Sequence, residues 1–384
     1  MITAAKGFVA GGLACGIKDS GASDLALIAT DDHRPVAAAA VFTSNLAQAA
    51  PVQVSRAHLA DGRAAAVILS SGNANAATGE PGRRDARRMC ELAADGLTTA
   101  ATDVLVCSTG LIGIPMPMHA LEAGIPKLCG TLSVAGGADA AQAILTTDTV
   151  RKEATAAAGN AIVGGMAKGA AMLSPAMATM LAVLTTDAAA DPHVLQQSLA
   201  RAVSETFDCL SVDGCRSTND TVIVLANGRA GAVGAVQLTD ALTSVCGSLA
   251  EQMARDAEGA TKLVRVNVVG ARTRAEARVA ARAVANSQLV QCSLNGGDAY
   301  WGRVISELGA SGAFIDPELV DISYNGVRVC RDGVACAHDE ALLARHMASR
   351  EIELRCDLRL AHGEATVLTT DLSHAYIDEN RRTS

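Results

Sequence analysis

Between Ala161 and Leu184 the chain carries a single charged side chain, Lys168, in a run otherwise made of apolar, small and hydroxyl residues. A stretch of this length could cross a bilayer, but Lys168 and Pro175 interrupt it, so it reads as buried inside protein. It would also make a poor core helix. Gly164, Gly165 and Gly169 favour turns or close backbone approach, and Pro175 removes a backbone donor. Any fold adopted by this chain must wrap the run in its interior and accommodate one buried cation.

The side chains available for that wrapping are small. Of 384 residues 49% are hydrophobic but only 2% aromatic, so packing must rest on Ala, Val, Leu and backbone approach, which suits dense α/β layering. The length suggests two lobes. Composition changes near Ala271, where an Arg/Ala-rich helix is expected to begin, and this predicts lobes at 1–270 and 271–384. A net charge of -8 argues against a nucleic-acid surface, which needs clustered Lys and Arg, and a small anionic ligand would need local cations instead. The eleven cysteines are odd in number and include no C-x-x-C pair, as expected for reduced, mostly buried thiols in a cytosolic protein. The histidines show no paired spacing, so neither a metal nor another cofactor is expected. Met1 to Ala14 lacks the charged and apolar regions of a signal peptide, and no membrane association is expected.

Along the chain, Asp24 to Ala29, Ala37 to Phe42 and Ala66 to Leu69 read as strands, the last running into a polar loop from Ser70 to Gly79. A helix is expected from Arg83 to Leu97. The strand Val104 to Cys107 then empties into Ser108-Thr109-Gly110-Leu111-Ile112-Gly113. A Thr-Gly turn at a strand end can aim a hydroxyl and a backbone N–H at one point, as an oxyanion hole requires, or can be a tight turn with no ligand. Asp191-Pro192 reads as a helix start, with an N-cap followed by proline at the first position. Ser211 to Thr221 is a polar loop feeding the strand Val222 to Ala226, which is expected to end at an Asn227-Gly228 turn. Leu242, Val245, Leu249 and Met253 recur at helical spacing over 239–256. Val264, Val266 and Val268 then alternate with polar residues as in a half-buried strand. Further strands are expected within 319–329, 352–360 and 364–368.

Thr179 stands near the end of the uncharged run. A threonine there is ordinarily a packed residue whose hydroxyl bonds to the backbone. It becomes a nucleophile when a base sits beside it, and cutting the chain between Ala178 and Thr179 would make the threonine's own α-amine that base. Residues alone leave both readings open.

The segment from Gly164 to Thr186 resembles the self-cleaving segment of the ornithine acetyltransferases, also called glutamate N-acetyltransferases, of the arginine pathway. Ser108 to Gly113, Ser217 to Thr221, Glu258-Gly259-Ala260-Thr261-Lys262 and Asp371 to Asn380 are similar to further motifs of that family, in the same order. Two departures stand out. Ala299-Tyr300 occupies the place of a Pro-Asn pair before Trp301-Gly302-Arg303, and the tail Arg381 to Ser384 is one residue short and lacks the customary tyrosine.

The resemblance implies an α/β fold, with a layered αββα sandwich lobe followed by a smaller C-terminal α/β lobe whose tail returns to the active site. It implies self-cleavage between Ala178 and Thr179, then passage of the acetyl group from N2-acetyl-L-ornithine to Thr179 and on to L-glutamate, with acetyl-CoA an open question as a second donor. By the same resemblance Thr179 is the nucleophile, Thr109 and Gly110 form the oxyanion hole, and Thr146, Lys168, Glu258, Asn380 and Ser384 bind substrate. Two chains from one precursor, assembled as an α2β2 heterotetramer in the cytoplasm, are also implied. Two other readings stay open: a self-processing aminopeptidase or amidase of related layout, and an uncleaved protein that binds acylated amino acids.

Overall fold

The structure, a computed structural model, describes residues 1–173 and 180–381. Ala178, Thr179 and Ser384 lie outside the described residues. The chain divides into two compact units, one made of 1–208 and 215–253, the other of 209–214 and 254 onward.

Among the described residues the first unit contains ten strands, β1 (Phe8–Leu13), β2 (Leu25–Thr30), β3 (Val36–Phe42), β4 (Arg63–Ala64), β5 (Ala66–Asn73), β6 (Val104–Leu111), β7 (Lys152–Ala158), β8 (Ala161–Lys168), β9 (Leu181–Ala189) and β10 (Thr221–Ala232). Its helices are α1 (Ala50–His58), α2 (Gly79–Leu97), α3 (Met118–Cys129), α4 (Gly137–Ala143), α5 (Pro192–Glu205) and α6 (Ala235–Arg255), the last running into the second unit. Two sheets form, in the orders β1-β2-β5-β6 and β4-β3-β10-β9-β8-β7.

The period of two along each strand explains the layering. In β2, Leu25, Leu27 and Ala29 pack with Met89, Leu97, Leu121 and Ile125 of α2 and α3. Ala26 and Ile28 instead meet Met166, Val183, Ile223 and Leu225 of the other sheet. On that sheet's outer side Val245 and Leu249 of α6 come against Gly165, where an added Cβ would lie 2.8 Å from Val245. Helices, sheet, sheet and helices thus follow one another as an αββα sandwich. The apolar run now has its explanation: β8 and β9 are adjacent antiparallel strands, paired from Val163↔Thr186 to Lys168↔Leu181, and strands buried on both faces read as continuous apolar sequence.

Three local expectations differ from the structure. Ser70 to Asn73 and Ser108 to Leu111 continue as strands, because the parallel β5–β6 ladder extends through Ser71↔Thr109 and Gly72↔Gly110. Thr109-Gly110 is therefore strand and not a turn. Asn227-Gly228 does not close the strand either: it falls within β10, at the irregularity where pairing with β9 shifts register between Ala226 and Gly231, with Gly228 at φ +76°. In β5 and β6 ladder hydrogen bonds override the turn preference of Asn, Gly and Ser because a neighbouring strand is present.

The second unit holds a six-stranded sheet built from β11 (Leu263–Ala271), β12 (Asp321–Tyr324), β13 (Val327–Arg331), β14 (Val334–Ala335), β15 (Glu351–Asp357) and β16 (Gly363–Thr370), ordered β14-β13-β12-β15-β11-β16. Helices α7 (Arg274–Asn286), α8 (Gln288–Asn295), α9 (Trp301–Ala310), α10 (Glu340–Ala348) and α11 (His374–Asn380) complete it. Val264, Val266 and Val268 of β11 enter its core with Ala277, Ala281 and Val284 of α7. The expected lobe boundary at 270/271 is displaced to 253/254, because β11 pairs on both edges within this sheet; the compositional change at Ala271 marks the approach to α7. No helix among the described residues is long and apolar enough to cross a membrane.

Candidate active site

Lys168 closes β8 and is 3% exposed. Its ammonium donates to Thr109 Oγ1 at 3.4 Å and lies 3.9 Å from Asp148 Oδ2. Thr109, on β6, is equally buried. The strand register that carries Ser71, Gly72 and Asn73 alongside Thr109, Gly110 and Leu111 depends on glycine at one crossing. Gly110 has φ +129° and an added Cβ there would lie 2.3 Å from the Gly72 carbonyl carbon, a clash with backbone that no side-chain movement relieves. Asn219 anchors the same region by donating from Nδ2 to the carbonyls of Ser108 and Ala74.

Asp148 organises the positive charge. Its side chain is inaccessible, and it accepts from Lys152 Nζ and Gly169 N, both at 2.7 Å, and from Thr146 N at 3.2 Å. Burial would raise its pKa, but the charges of Lys168 and Lys152 outweigh that and hold the carboxyl down at about 2. Lys18 adds a third ammonium, donating to the carbonyls of Ser23 and Leu145 at 2.7 Å. Burial lowers its pKa, Asp24 and Asp148 oppose that, and the charge of Lys168 pushes the same way as burial. Lys18, Lys152 and Lys168 are gathered here with Asp148 and Asp24, a local concentration of cations in a chain whose net charge is -8, and such a concentration suits an anionic ligand group.

Asp220, immediately before β10, is wholly buried and accepts the backbone N–H of Met180 at 3.0 Å. Met180 also receives Thr221 N on its carbonyl at 3.2 Å, so the main chain after residue 179 is held on both sides of this residue.

In the second unit Glu258 and Asn380 come together. Glu258 is 9% exposed and its Oε2 accepts from Asn380 Nδ2 at 2.7 Å. Helix α6 stops at Arg255, and Glu258 belongs to a tight turn with Gly259 at φ +63°. The turn is pinned from two directions. Ser373 donates to the Gly259 carbonyl while capping α11, and Asp371 accepts from Thr261 N, Thr261 Oγ1, Lys262 N and Asn295 Nδ2. The Glu258 to Lys262 motif and the Asp371 to Asn380 motif are thus two halves of one local structure.

The structure therefore groups Thr109, Gly110, Thr146 and Lys168 in the first unit and Glu258 with Asn380 in the second. Sequence reading missed Asp148, Lys152 and Asp220. An Asp148/Lys152 pair four apart in a run of hydroxyls was an available signal, and Asp220 stood within a motif already singled out for its neighbours. All eleven cysteines are free, and burial pushes Cys107 up to about 12, which makes it a packing residue rather than a nucleophile. No group of three or more potential metal ligands converges among the described residues.

Comparison with known proteins adds four observations. The family model described as the ArgJ family matches residues 9–383. The arginine biosynthesis bifunctional protein ArgJ of Mycobacterium leprae (strain TN) is 46% identical over 390 residues, covering 99% of this chain and 94% of that protein. The protein of the same name from Streptomyces coelicolor is 45% identical over 380 residues, covering 99% and 98%. Among solved structures, the crystal structure of ArgJ from Bacillus halodurans matches with TM-score 0.50 and 33% identity, covering 51% of this chain and 96% of that one.

Proposed function

This chain belongs to the ArgJ family, and from that premise we propose that it transfers the acetyl group of N2-acetyl-L-ornithine to L-glutamate in arginine biosynthesis, through an acetyl ester on Thr179. Before turnover it divides itself between Ala178 and Thr179, freeing the α-amine of Thr179. That amine takes the hydroxyl proton as Oγ attacks the acetyl carbonyl, ornithine leaves, and glutamate accepts the acetyl group from the ester. Thr109 and Gly110 stabilise the tetrahedral oxyanion.

The observation that carries the reading is the buried contact between Lys168 and Thr109. The ammonium donates to Thr109 Oγ1, which leaves the threonine's own O–H to donate elsewhere and makes it a better donor. The cations gathered around Asp148 suit the α-carboxylate that both substrates share, with Lys168 as its receiver and Thr146 beside it. Glu258, held by Asn380, takes the ornithine ammonium, and Ser384 completes substrate binding. A further observation favours division of the precursor. Almost the whole of the Bacillus halodurans chain, 96%, corresponds to only 51% of this one, as half of a divided chain would.

The two resulting chains assemble as an α2β2 heterotetramer in the cytoplasm, and acetyl-CoA serves as an additional donor to Thr179, in keeping with the word bifunctional in the relatives' names. Incubating purified protein with N2-acetyl-L-ornithine, with and without glutamate, tests the reading. The expected result is N-acetylglutamate and ornithine in equal amounts when glutamate is present. Acetate release that ignores glutamate would identify an amidase, and binding without turnover an acyl-amino-acid binding protein.

A further inference from the structure

No step of the transfer just described uses Lys18, yet the chain around it is folded to deliver it to one place. Residues 15–18 wrap a buried carboxylate. Asp24 is 0% exposed; its Oδ1 accepts from Cys15 N at 2.7 Å, and its Oδ2 accepts from Gly16 N, Ile17 N and Lys18 N at 3.1, 2.7 and 3.1 Å. Successive backbone N–H groups turned onto one anion form a nest, which fixes the main chain from which Lys18 extends. The same segment lies against the β5–β6 ladder. A Cβ added to Gly72 would come 3.0 Å from Ile17 Cγ2 and 3.2 Å from Lys18 Cγ, and Gly72 is the strand partner of Gly110.

From there the Lys18 amine reaches the chain that leaves α4. Nζ donates to the carbonyls of Ser23 and Leu145, both at 2.7 Å. The amine carries hydrogens enough for both bonds whether charged or neutral, so the contact does not depend on its protonation state. Ile144 and Leu145 are buried, and Ser71 Oγ donates to the Ala143 carbonyl at 2.6 Å, so this stretch is already tied to β5. One bond further on, Thr146 N donates to Asp148 Oδ2 at 3.2 Å.

The two contacts share one peptide unit. The carbonyl of Leu145 and the N–H of Thr146 belong to a single plane, and Lys18 holds one edge of it while Asp148 holds the other. Asp148 is itself fixed by the N–H of Gly169, the residue after β8. The plane is thus strung between two segments remote in sequence. Rotating it would change φ at Thr146 and swing that side chain, so the clamp sets where the Thr146 hydroxyl points.

We propose that Lys18 is a positioning residue of the substrate site, acting through Thr146: with Asp148 it clamps the Leu145–Thr146 peptide and so aims the Thr146 side chain at the α-carboxylate that both substrates share. The proposal rests on the reading of Thr146 as a substrate-binding residue. Lys18 then does no chemistry, and its loss loosens substrate binding without changing the reacting groups. An interaction made equally in the ground state and the transition state appears in the Michaelis constant and not in kcat.

The test is a double-mutant cycle on purified enzyme, with Michaelis constants for N2-acetyl-L-ornithine and L-glutamate, kcat and melting temperature measured for each variant. Lys18→Met keeps an apolar stem over Gly72 and removes the donor. It should raise both Michaelis constants about 10-fold while kcat stays within about two-fold of wild type. Thr146→Ala should raise them as well, and the double variant should be no worse than the more impaired single one, because the lysine works only through the threonine. Losses that add in the double variant would overturn the proposal. So would wild-type Michaelis constants in Lys18→Met, or a fall in its kcat with those constants unchanged. If melting shows that Lys18→Met is unfolded, Lys18→Gln, which keeps a donating group, takes its place in the same cycle and is judged by whether its losses add to those of Thr146→Ala. Wild-type constants in Thr146→Ala would defeat the reading of Thr146 and this proposal with it, whereas failure at Lys18 with Thr146→Ala impaired leaves that reading standing.

Discussion

The ammonium of Lys168, at the end of β8, donates to the hydroxyl of Thr109, in β6, across 3.4 Å. These strands belong to the two different sheets of the first unit, so the contact closes the space between them at a point where both side chains are buried. Because a lysine has only donors, it fixes Thr109 Oγ1 as an acceptor and frees its proton to point at a ligand.

Thr109→Ala removes that donor and leaves Lys168 without this acceptor. Loss of one oxyanion donor costs about 100- to 1000-fold in turnover, so kcat for acetyl transfer should fall by that factor while the melting temperature changes little. Thr109→Ser should retain most of the rate. Transfer by Thr109→Ala at the wild-type rate would take Thr109 out of the site.

Thr179→Ala should yield one full-length chain by intact mass, whereas wild type should give two, the second beginning at Thr179. The main chain after the bond is held by Asp220 and Thr221 whatever residue stands at 179, so this substitution tests the hydroxyl and not the local fold. Efficient division of the variant at the same bond would sink the nucleophile assignment.

How much of this was legible beforehand depended on which force decided each element. Periodicity revealed α2, α5 and α6, because Met89, Leu92 and Ala93, or Leu195, Leu199 and Ala202, each repeat on the face that is buried. Asp191 announced its own helix, and its side chain does cap His193 N. Strand ends were misjudged wherever pairing carried a polar, glycine-bearing segment onward, as at Ser70 to Asn73 and Thr109-Gly110, since the neighbouring strand is remote in sequence. The Asp148 hub was invisible for the same reason: Lys168 and Gly169 reach it from the far end of β8.

Asp148 gives a pH prediction with a definite sign. Its folded pKa is depressed from 3.8 to about 2, so the stability it contributes is present above the unfolded value and is lost as pH falls from about 3.8 through about 2. Asp148→Asn removes the carboxylate charge that buried Lys152 faces at 2.7 Å and should cost about 3 to 5 kcal/mol near neutral pH. Denaturant titrations should show the gap between wild type and variant closing as pH drops through that window. A gap independent of pH would mean that the carboxylate's charge is not what stabilises the cluster.

The ends of the substrates supply the last prediction. N2-acetyl-L-ornithine and L-glutamate share an α-carboxylate but only the first leaves as a diamine, so a residue that receives the carboxylate must affect both half-reactions and one that receives the side-chain ammonium only one. Lys168 sits beside Asp148 among buried cations, and Glu258 is an acid whose Oε2 accepts from a neutral amide, Asn380. Lys168→Met should therefore raise the Michaelis constant for both substrates. Glu258→Gln, which keeps an oxygen for Asn380 Nδ2, should raise it chiefly for N2-acetyl-L-ornithine, by about 10-fold or more if the lost charged hydrogen bond contributes the usual 1.5 to 3 kcal/mol. Separate half-reaction assays, ornithine release in one and deacetylation of the Thr179 ester by glutamate in the other, measure the asymmetry. Equal impairment of both halves by Glu258→Gln would reassign Glu258 to holding the turn against Asn380 rather than to recognising ornithine.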